Sequence, residues 1–269
     1  DAAALPTLDV LSDAEVETAR AAKQAADASR ASLATRNCAL VLRAPASGGV
    51  AYMCFAGGID VPLVLESRST DLKAGFGGFQ GRALRKGDVL DVRPGVPVQG
   101  SRRFGVLPPC AGIPAPEAGD AGLPNGATQA TVVRVLPAAQ WDGFSEAVRN
   151  VFLSSRWQIS ADSNRIGLRL SGPAILPEQR MELLSHGIVP GVVQIPPDGQ
   201  PIVMQCDAQT AGGYPKLATV IAADMWRLAQ TPIGGKLYFQ CVSMDAALAA
   251  NQQVQGYVAR VRRAVELLY

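Results

Sequence analysis

Most apolar positions of this chain fall into short runs with the length and spacing of strands. In the first half such runs cover residues 38–42, 50–55, 61–65 and 89–92. Further runs cover 131–136, 157–160, 167–170, 191–195, 202–205 and 236–242. Glycine, proline and aspartate separate the runs, as expected where turns join strands. The pattern predicts a mainly β protein with a few helices and a β-barrel body.

Helical patterns are fewer, and the first of them is unusual. Residues 12–37 begin with a capping box formed by Ser12 and Glu15. Their only large apolar side chains are Val16 and Leu33, so such a helix has little surface to bury. We expect a peripheral helix or a flexible connector, with a partner-docking helix as the alternative. Other helices are predicted over residues 141–153, 220–230 and 245–268.

These segments predict an organisation in two lobes. Residues 1–37 form a peripheral helical segment, and residues 38–104 form a first barrel part. Residues 105–130 are a linker rich in proline and glycine. Residues 131–269 form a second barrel part that ends in a helix. A doubly wound α/β fold is disfavoured, because strands outnumber helices and the connections are short.

Composition narrows the class of protein. The chain has 269 residues, of which 48% are hydrophobic and 18% charged, a balance that excludes dominant disorder. With 25 Lys and Arg against 23 Asp and Glu, a strongly basic surface for nucleic acid is not expected. No apolar stretch has the length of a membrane helix. Five scattered cysteines without a Cys-x-x-Cys pair predict free thiols and a cytoplasmic protein, namely Cys38, Cys54, Cys110, Cys206 and Cys241.

Several common catalytic motifs are incomplete. The glycine-rich segment 75–81 has Gln80 where a dinucleotide-binding loop needs its third glycine. Lys236 is followed by Leu237, whereas a phosphate-binding loop would have serine or threonine there. His186 is the only histidine, so a catalytic triad or a metal site is disfavoured, and we interpret it as a surface or structural residue.

Four loops place polar side chains beside glycine and proline: residues 56–71, 163–169, 194–201 and 207–215. Turn chemistry alone can select such residues. Four such loops in one chain favour a site that loops present on a rigid β scaffold.

In these loops the sequence resembles the KipA family, also called allophanate hydrolase subunit 2, the 5-oxoprolinase C-subunit family or the biotin-dependent carboxyltransferase-like family. The resemblance runs from about Ala39 to about Val242. Its motifs are Ala56-Gly-Gly-Ile-Asp-Val-Pro-Leu-Val-Leu65, Ser67-Arg-Ser-Thr-Asp71, Gly77-Gly78 with Gly81-Arg82, Ser163-Asn-Arg-Ile-Gly167, Pro196-Pro-Asp-Gly-Gln-Pro-Ile202 and Gln209-Thr210 with Gly212-Gly-Tyr-Pro215.

Two features depart from the family pattern. Residues 1–37 contain no match to the family's N-terminal glycine-rich segment with a Ser-Gly-Ala-Met-Asp-like motif. We expect either that the natural start is missing or that this member is divergent. Ala211 replaces the second threonine of a Gln-Thr-Thr-Gly-Gly-Tyr-Pro pattern, which by itself changes little.

The resemblance implies a cyclophilin-like barrel and one component of an ATP-dependent enzyme complex that opens 5-oxoproline to glutamate. Its partners would be a KipI-type protein and a lactam-utilisation protein, with ATP bound on or shared with a partner. The chain alone is then expected to be inactive. One alternative is the carboxyltransferase module of a urea carboxylase or allophanate hydrolase-like system, with biotin carried by another protein. Another is a non-catalytic regulator that binds a KipI-type kinase inhibitor.

The matched loops supply the candidate site, without a metal. The candidate catalytic residues are Asp207, Gln209 and Arg165, and the candidate substrate-binding residues are Arg68, Ser69, Asn164, Thr210, Gly212, Gly213 and Tyr214. The two arginines can hold a carboxylate or phosphate through paired hydrogen bonds. Asp207 is either a base or a residue that orients Arg165. Arg165 could instead tie two loops together.

Overall fold

A computed structural model describes residues 48–93, 109–113, 130–179 and 181–266 of the chain. The helix predicted over residues 12–37 and the strand predicted over 38–42 lie outside these ranges, as does most of the predicted linker. Contacts divide the chain into two units, one of Asp1–Val50 with Ile113–Tyr269 and a smaller one of Ala51–Gly112. Each unit is described by itself below.

The smaller unit is built mainly of turns. Strand β1 (Thr70–Asp71) pairs antiparallel with β2 (Phe76–Gly77), and a short helix α1 covers Pro109–Gly112. The strands predicted within 51–55, 61–65 and 89–92 are wrong, since these residues form at most isolated bridges. An apolar run forms a strand only when a neighbouring strand satisfies its backbone. Here Leu65 and Glu66 have φ of 50° and 62°, so the chain turns instead of extending.

The larger unit contains a closed barrel, which confirms the predicted mainly β body. The strands of this unit are β3 Ala130–Pro137, β4 Trp157–Ile159, β5 Gly167–Ser171, β6 His186–Gly187, β7 Val192–Gln194, β8 Ile202–Met204, β9 Ala211–Gly212, β10 Lys216–Val220 and β11 Lys236–Cys241. The barrel strands pair in the order β10-β3-β11-β4-β5-β8-β7, antiparallel except for β3 with β11. A separate two-stranded ribbon joins β6 to β9.

Helices of the larger unit differ from the predicted ones mainly at their starts. A 3₁₀ turn at Trp141–Gly143 precedes α2 (Glu146–Ser154), which Ser145 caps by accepting a hydrogen bond from the Val148 amide. A 3₁₀ turn at Ala222–Asp224 leads into α3 (Met225–Gln230). The helix predicted from residue 220 therefore starts later, because Val220 belongs to β10. Helix α4 covers Met244–Glu266.

Large side chains from the barrel strands and α2 fill the main core. Phe152 of α2 stacks on Phe239 with ring centroids 4.5 Å apart. The indole Nε1 of Trp157 donates a hydrogen bond to the Phe152 carbonyl at 3.0 Å, which satisfies its polar atom inside the core. The other members of this cluster with at most 1% exposure are Val133, Val135, Phe144, Ile159, Ile175, Val193, Val203, Leu217, Ala218, Leu228 and Leu237. The barrel interior is therefore a packed core.

A buried carboxylate joins β3 to the turn before α3. Asp224 is fully buried, and its two oxygens accept hydrogen bonds from Nε and Nη2 of Arg134 at 2.8 and 2.7 Å. The Arg134 amide donates to the same carboxylate at 2.8 Å, and Arg227 lies 3.3 Å away. A buried charge is stable only when such partners replace water.

The structure describes the side chains of three of the five cysteines that are predicted to be free thiols. Cys54, Cys206 and Cys241 are free and exposed, and burial of part of the Cys241 side chain raises the pKa of its thiol. Cys38 lies outside the described residues. The prediction that all five cysteines are free therefore stays a prediction.

Replacement of Asp224 should strongly destabilise the larger unit. Asp224→Ala leaves the largely buried Arg134 guanidinium without its partner, which costs about 3–5 kcal/mol in comparable cases. The matched control is Asp142→Ala, which breaks the ion pair with Arg149 but removes a side chain that is 97% exposed. That change should cost less than about 1 kcal/mol. Urea unfolding followed by circular dichroism measures the free energy of unfolding of both variants. An equal decrease in the two variants would contradict the structural role of the Asp224–Arg134 pair.

Candidate functional site

The loop that carries the Gly-Gly-Tyr-Pro motif is held by the β6–β9 ribbon. His186 of β6 is the register partner of Gly212 in β9, and the Ile188 amide donates to the Thr210 carbonyl at 2.8 Å. A β-carbon on Gly212 would lie 2.6 Å from Ile188 Cδ1. A larger residue at position 212 would therefore have to displace the end of the Ile188 side chain.

The polar side chains of this loop face outward. Gln209, Thr210 and Tyr214 are exposed, whereas Gly212 and Gly213 are partly buried. A β-carbon on Gly213 would lie 3.1 Å from the Leu183 carbonyl oxygen. The loop thus presents three hydrogen-bonding side chains to solvent, and its two glycines pack against neighbouring residues.

Arg165 and Asp207 lie side by side, as one of the two interpretations of Asp207 requires. Arg165 Nε lies 2.9 Å from Asp207 Oδ2, and the Asp207 amide donates to the Arg165 carbonyl at 3.2 Å. Their side chains are 68% and 45% exposed. This geometry is compatible with Asp207 orienting Arg165, which stays a prediction. It also joins the 160–167 loop to the loop after β8.

The Asn164 side chain stabilises a turn. Its Oδ1 accepts hydrogen bonds from the amides of Ile166 at 2.9 Å and Gly167 at 3.3 Å, which closes the turn before β5. Such a turn is a common use of asparagine. Its role as a substrate ligand, which remains a proposal, would rest on the side-chain amide nitrogen.

Arg68 and Ser69 belong to the smaller unit. Arg68 Nε donates to the Val61 carbonyl at 3.1 Å, and the Ser69 amide donates to Ser67 Oγ at 3.1 Å. The same unit contains a cavity of about 460 Å³ between the 60–64 turn and the glycine-rich turn. It is lined by Asp60, Val61, Pro62, Val64 and residues 75–81, which form the glycine-rich turn.

The glycine-rich turn of the smaller unit is fixed by Arg82. Its guanidinium forms two hydrogen bonds of 2.8 Å to the Asp88 carboxylate and lies 5.1 Å from the Phe79 ring centroid. Gln80 has φ of 57°, a conformation in which non-glycine residues are uncommon. The hydrogen bonds from Arg82, assisted by the Arg85 amide, lower the pKa of Asp88 to about 2.

Sequence reasoning missed two buried polar residues under the ribbon. Lys216 and Gln194 are register partners in β10 and β7, and they are 5% and 2% exposed. Lys216 Nζ donates to the Gly212 carbonyl at 3.3 Å, and burial lowers the pKa of this lysine. A signal was present, since Lys216 is one of few lysines and directly follows the Gly-Gly-Tyr-Pro motif.

The described ranges contain neither a cluster of metal-binding side chains nor a helix that could span a membrane. No group of three or more His, Cys, Asp or Glu side chains is placed there to hold a metal ion. Within the same ranges, no helix is both long and apolar enough to cross a membrane.

Comparison with known proteins shows the family of this chain. The family described as carboxyltransferase domain, subdomain A and B, matches residues 10–241. The match begins well before Ala39, so the N-terminal boundary expected for the resemblance is wrong.

Individual relatives agree with this family. The chain is 42% identical over 221 residues to the C subunit of 5-oxoprolinase from Escherichia coli (strain K12) and 36% identical over 219 residues to that from Haemophilus influenzae. Each alignment covers 81% of this chain and 64% of the relative, so the chain spans less than two thirds of their length. The crystal structure of Kluyveromyces lactis urea carboxylase superposes with a TM-score of 0.55 at 27% identity, covering 75% of this chain and 19% of that one.

The contact between Arg165 and Asp207 should contribute little to stability. Both side chains are exposed, so solvent screens their attraction. A double-mutant cycle with Arg165→Ala and Asp207→Ala should give a coupling free energy of unfolding below about 1 kcal/mol, smaller still in about 1 M salt. A coupling of several kcal/mol would show that the pair holds the fold together, which would contradict its assignment to the site.

Acidification should remove the contribution of the Arg82–Asp88 pair. A carboxyl whose pKa is lower in the folded than in the unfolded protein stabilises the fold above pH about 4. That contribution declines as the pH falls through about 2, the folded pKa. An NMR titration of the Asp88 carboxyl carbon should give a midpoint near 2, and Arg82→Ala should shift it towards the ordinary value. An ordinary midpoint in the unsubstituted protein would contradict the pairing.

Proposed function

The chain belongs to the carboxyltransferase domain family, subdomains A and B, and we propose that it acts as the C-subunit component of a 5-oxoprolinase-type enzyme. The observation that carries this proposal is the 42% identity to the C subunit of a 5-oxoprolinase across 81% of this chain. The aligned region is long enough to include polar loops of both units.

Ring opening of 5-oxoproline is difficult because a lactam is a poor electrophile. In the proposal ATP, bound on or shared with a partner protein, supplies the activation of the lactam oxygen. This chain contributes the groups that hold and orient the substrate. Arg165, positioned by Asp207 at 2.9 Å, offers its remaining N–H groups to the phosphate that activates the lactam. Gln209 and Thr210, close to Asp207 in the sequence, offer neutral donors where negative charge develops on the carbonyl oxygen.

The proposal includes partners and a compartment. The chain works with a KipI-type protein and a lactam-utilisation protein in the cytoplasm. No complete phosphate-binding loop occurs in its sequence, which supports a nucleotide site that depends on a partner. The chain is therefore inactive when isolated.

Carboxyl transfer is the second candidate function. It is favoured by the superposition on Kluyveromyces lactis urea carboxylase over 75% of this chain. Biotin would have to arrive on another protein, because none of the chain's lysines lies in an Ala/Met-Lys-Met carrier motif. The same exposed donors of the 207–215 loop would then face the carboxyl group being transferred.

Reconstitution tests the proposed function. The purified chain, alone and with the KipI-type and lactam-utilisation proteins, is incubated with ATP and either 5-oxoproline or urea. The urea samples also contain bicarbonate and a biotinylated carrier protein, and glutamate, phosphate and carboxylated urea are measured. Glutamate should form only in the complete mixture. Turnover by the chain alone would contradict the proposal that it works only within a complex. A stable complex without 5-oxoproline turnover would also contradict the proposed function, and carboxylation of urea with a biotinylated carrier would favour the second candidate.

Substitutions in the loops should lower turnover in the assembled complex. We expect Arg165→Ala or Gln209→Ala to reduce kcat/KM at least tenfold, about 1.4 kcal/mol of transition-state stabilisation. Arg262→Ala and Gln253→Ala remove exposed side chains of the same types from helix α4, outside the loops, and serve as controls. Unchanged turnover in both loop variants, with unchanged thermal unfolding, would rule out the assigned roles.

A further inference from the structure

Lys216 is a buried cation without a counter-charge among the described residues. Its side chain is 5% exposed, and its ammonium donates to one neutral acceptor, the Gly212 carbonyl oxygen at 3.3 Å. No carboxylate within the described ranges forms an ion pair with it. Buried charges in proteins are normally paired, because removal from water is costly. By contrast, Asp224, the other buried charged residue that the structure describes, is bound by Arg134.

Gln194 is a second buried donor beside Lys216. The two residues face each other across β7 and β10, so their side chains lie on the same side of the sheet. Gln194 is 2% exposed, and its Nε2 has no hydrogen-bond partner among the described residues. Both side chains approach the same residue of the ribbon, since a β-carbon on Gly212 would lie 2.9 Å from Gln194 Nε2.

We propose that Lys216 and Gln194 form a binding site for the carboxylate group of a small ligand beneath the β6–β9 ribbon. A carboxylate accepts several hydrogen bonds and supplies the missing negative charge. The ammonium and the unpaired amide N–H are complementary to it. Bound there, it replaces the weak 3.3 Å contact to the Gly212 carbonyl. It also reverses the effect of burial on the lysine, whose pKa is lowered in the free protein.

The ribbon covers this site, since a β-carbon on Gly212 would meet Ile188 and Gln194. Entry of a ligand therefore requires the ribbon to move. Each of its strands has only two residues, so few backbone hydrogen bonds hold it in place. This inference deepens the proposed function, on which it rests for the ligand, because 5-oxoproline carries one carboxylate beside its lactam.

Binding of an acid and its uncharged analogue tests the site directly. The isolated chain is titrated by calorimetry with 5-oxoproline, with 5-oxoprolinamide, and with acetate and bicarbonate. The Lys216 side-chain resonance is followed by NMR in parallel. The amide has the same ring without the charge, so it should bind at least tenfold more weakly than the acid. The acid should shift the Lys216 resonance, whereas the amide should not.

Variants separate a ligand-binding role from a structural one. Lys216→Met should weaken 5-oxoproline binding at least tenfold and abolish the preference for acid over amide, and Gln194→Leu should weaken it several-fold. Lys236→Met, at an exposed lysine that begins β11, is the control and should change neither. The melting temperature of Lys216→Met should not fall, because the substitution removes an unpaired buried charge. If Lys216→Met fails to fold, the comparison of acid and amide binding to the unsubstituted chain still tests whether the site binds a carboxylate.

The outcomes separate this site from the proposed function. Binding of acetate or bicarbonate that depends on Lys216, without binding of 5-oxoproline, would support the site and contradict the proposed substrate. Equal affinity for acid and amide, or an unchanged affinity in Lys216→Met, would overturn the site even if the reconstituted complex opens 5-oxoproline. Absence of binding by every probe would overturn it as well.

Discussion

The pairing of β10 on both of its edges is the constraint on which the larger unit depends. One edge pairs with β3 through Ala218, Thr219 and Val220, and the other pairs with β7. Together these ladders close the barrel and fix where the preceding loop must end. A register shift between Lys216 and Ala218 turns the first residue of the strand towards the ribbon. The position of the 207–215 loop therefore follows from how the barrel closes.

Asp224 and Lys216, both buried in the described part of this unit, have different surroundings. Asp224 is held by paired hydrogen bonds from Arg134, and the arrangement is complete without a ligand. Lys216 has one weak neutral contact, and its neighbour Gln194 has an unused donor. Buried polar groups whose hydrogen bonds are weak or missing lower the stability of the folded protein. We infer that binding, and not folding, accounts for the lysine at this position.

Sequence patterns predicted the barrel strands well where a short apolar run is bounded by turns, as in β5 and β8. They failed in the smaller unit, where the same kind of run lacks pairing partners and positive φ at Leu65 and Glu66 bends the chain. They also missed β10, because Pro215 and Lys216 mask its start. The loops proposed to carry the candidate site were identified from sequence motifs. The Lys216–Gln194 pair could not be identified in this way, because the register of β7 and β10 is a non-local property.

The most direct test of this account is a crystal structure of the chain with 5-oxoproline. The account predicts density for the ligand beneath the β6–β9 ribbon, with its carboxylate within hydrogen-bond distance of Lys216 Nζ and Gln194 Nε2. It also predicts that Lys216 then releases the Gly212 carbonyl. A ligand bound elsewhere, with Lys216 still donating only to Gly212, would contradict it.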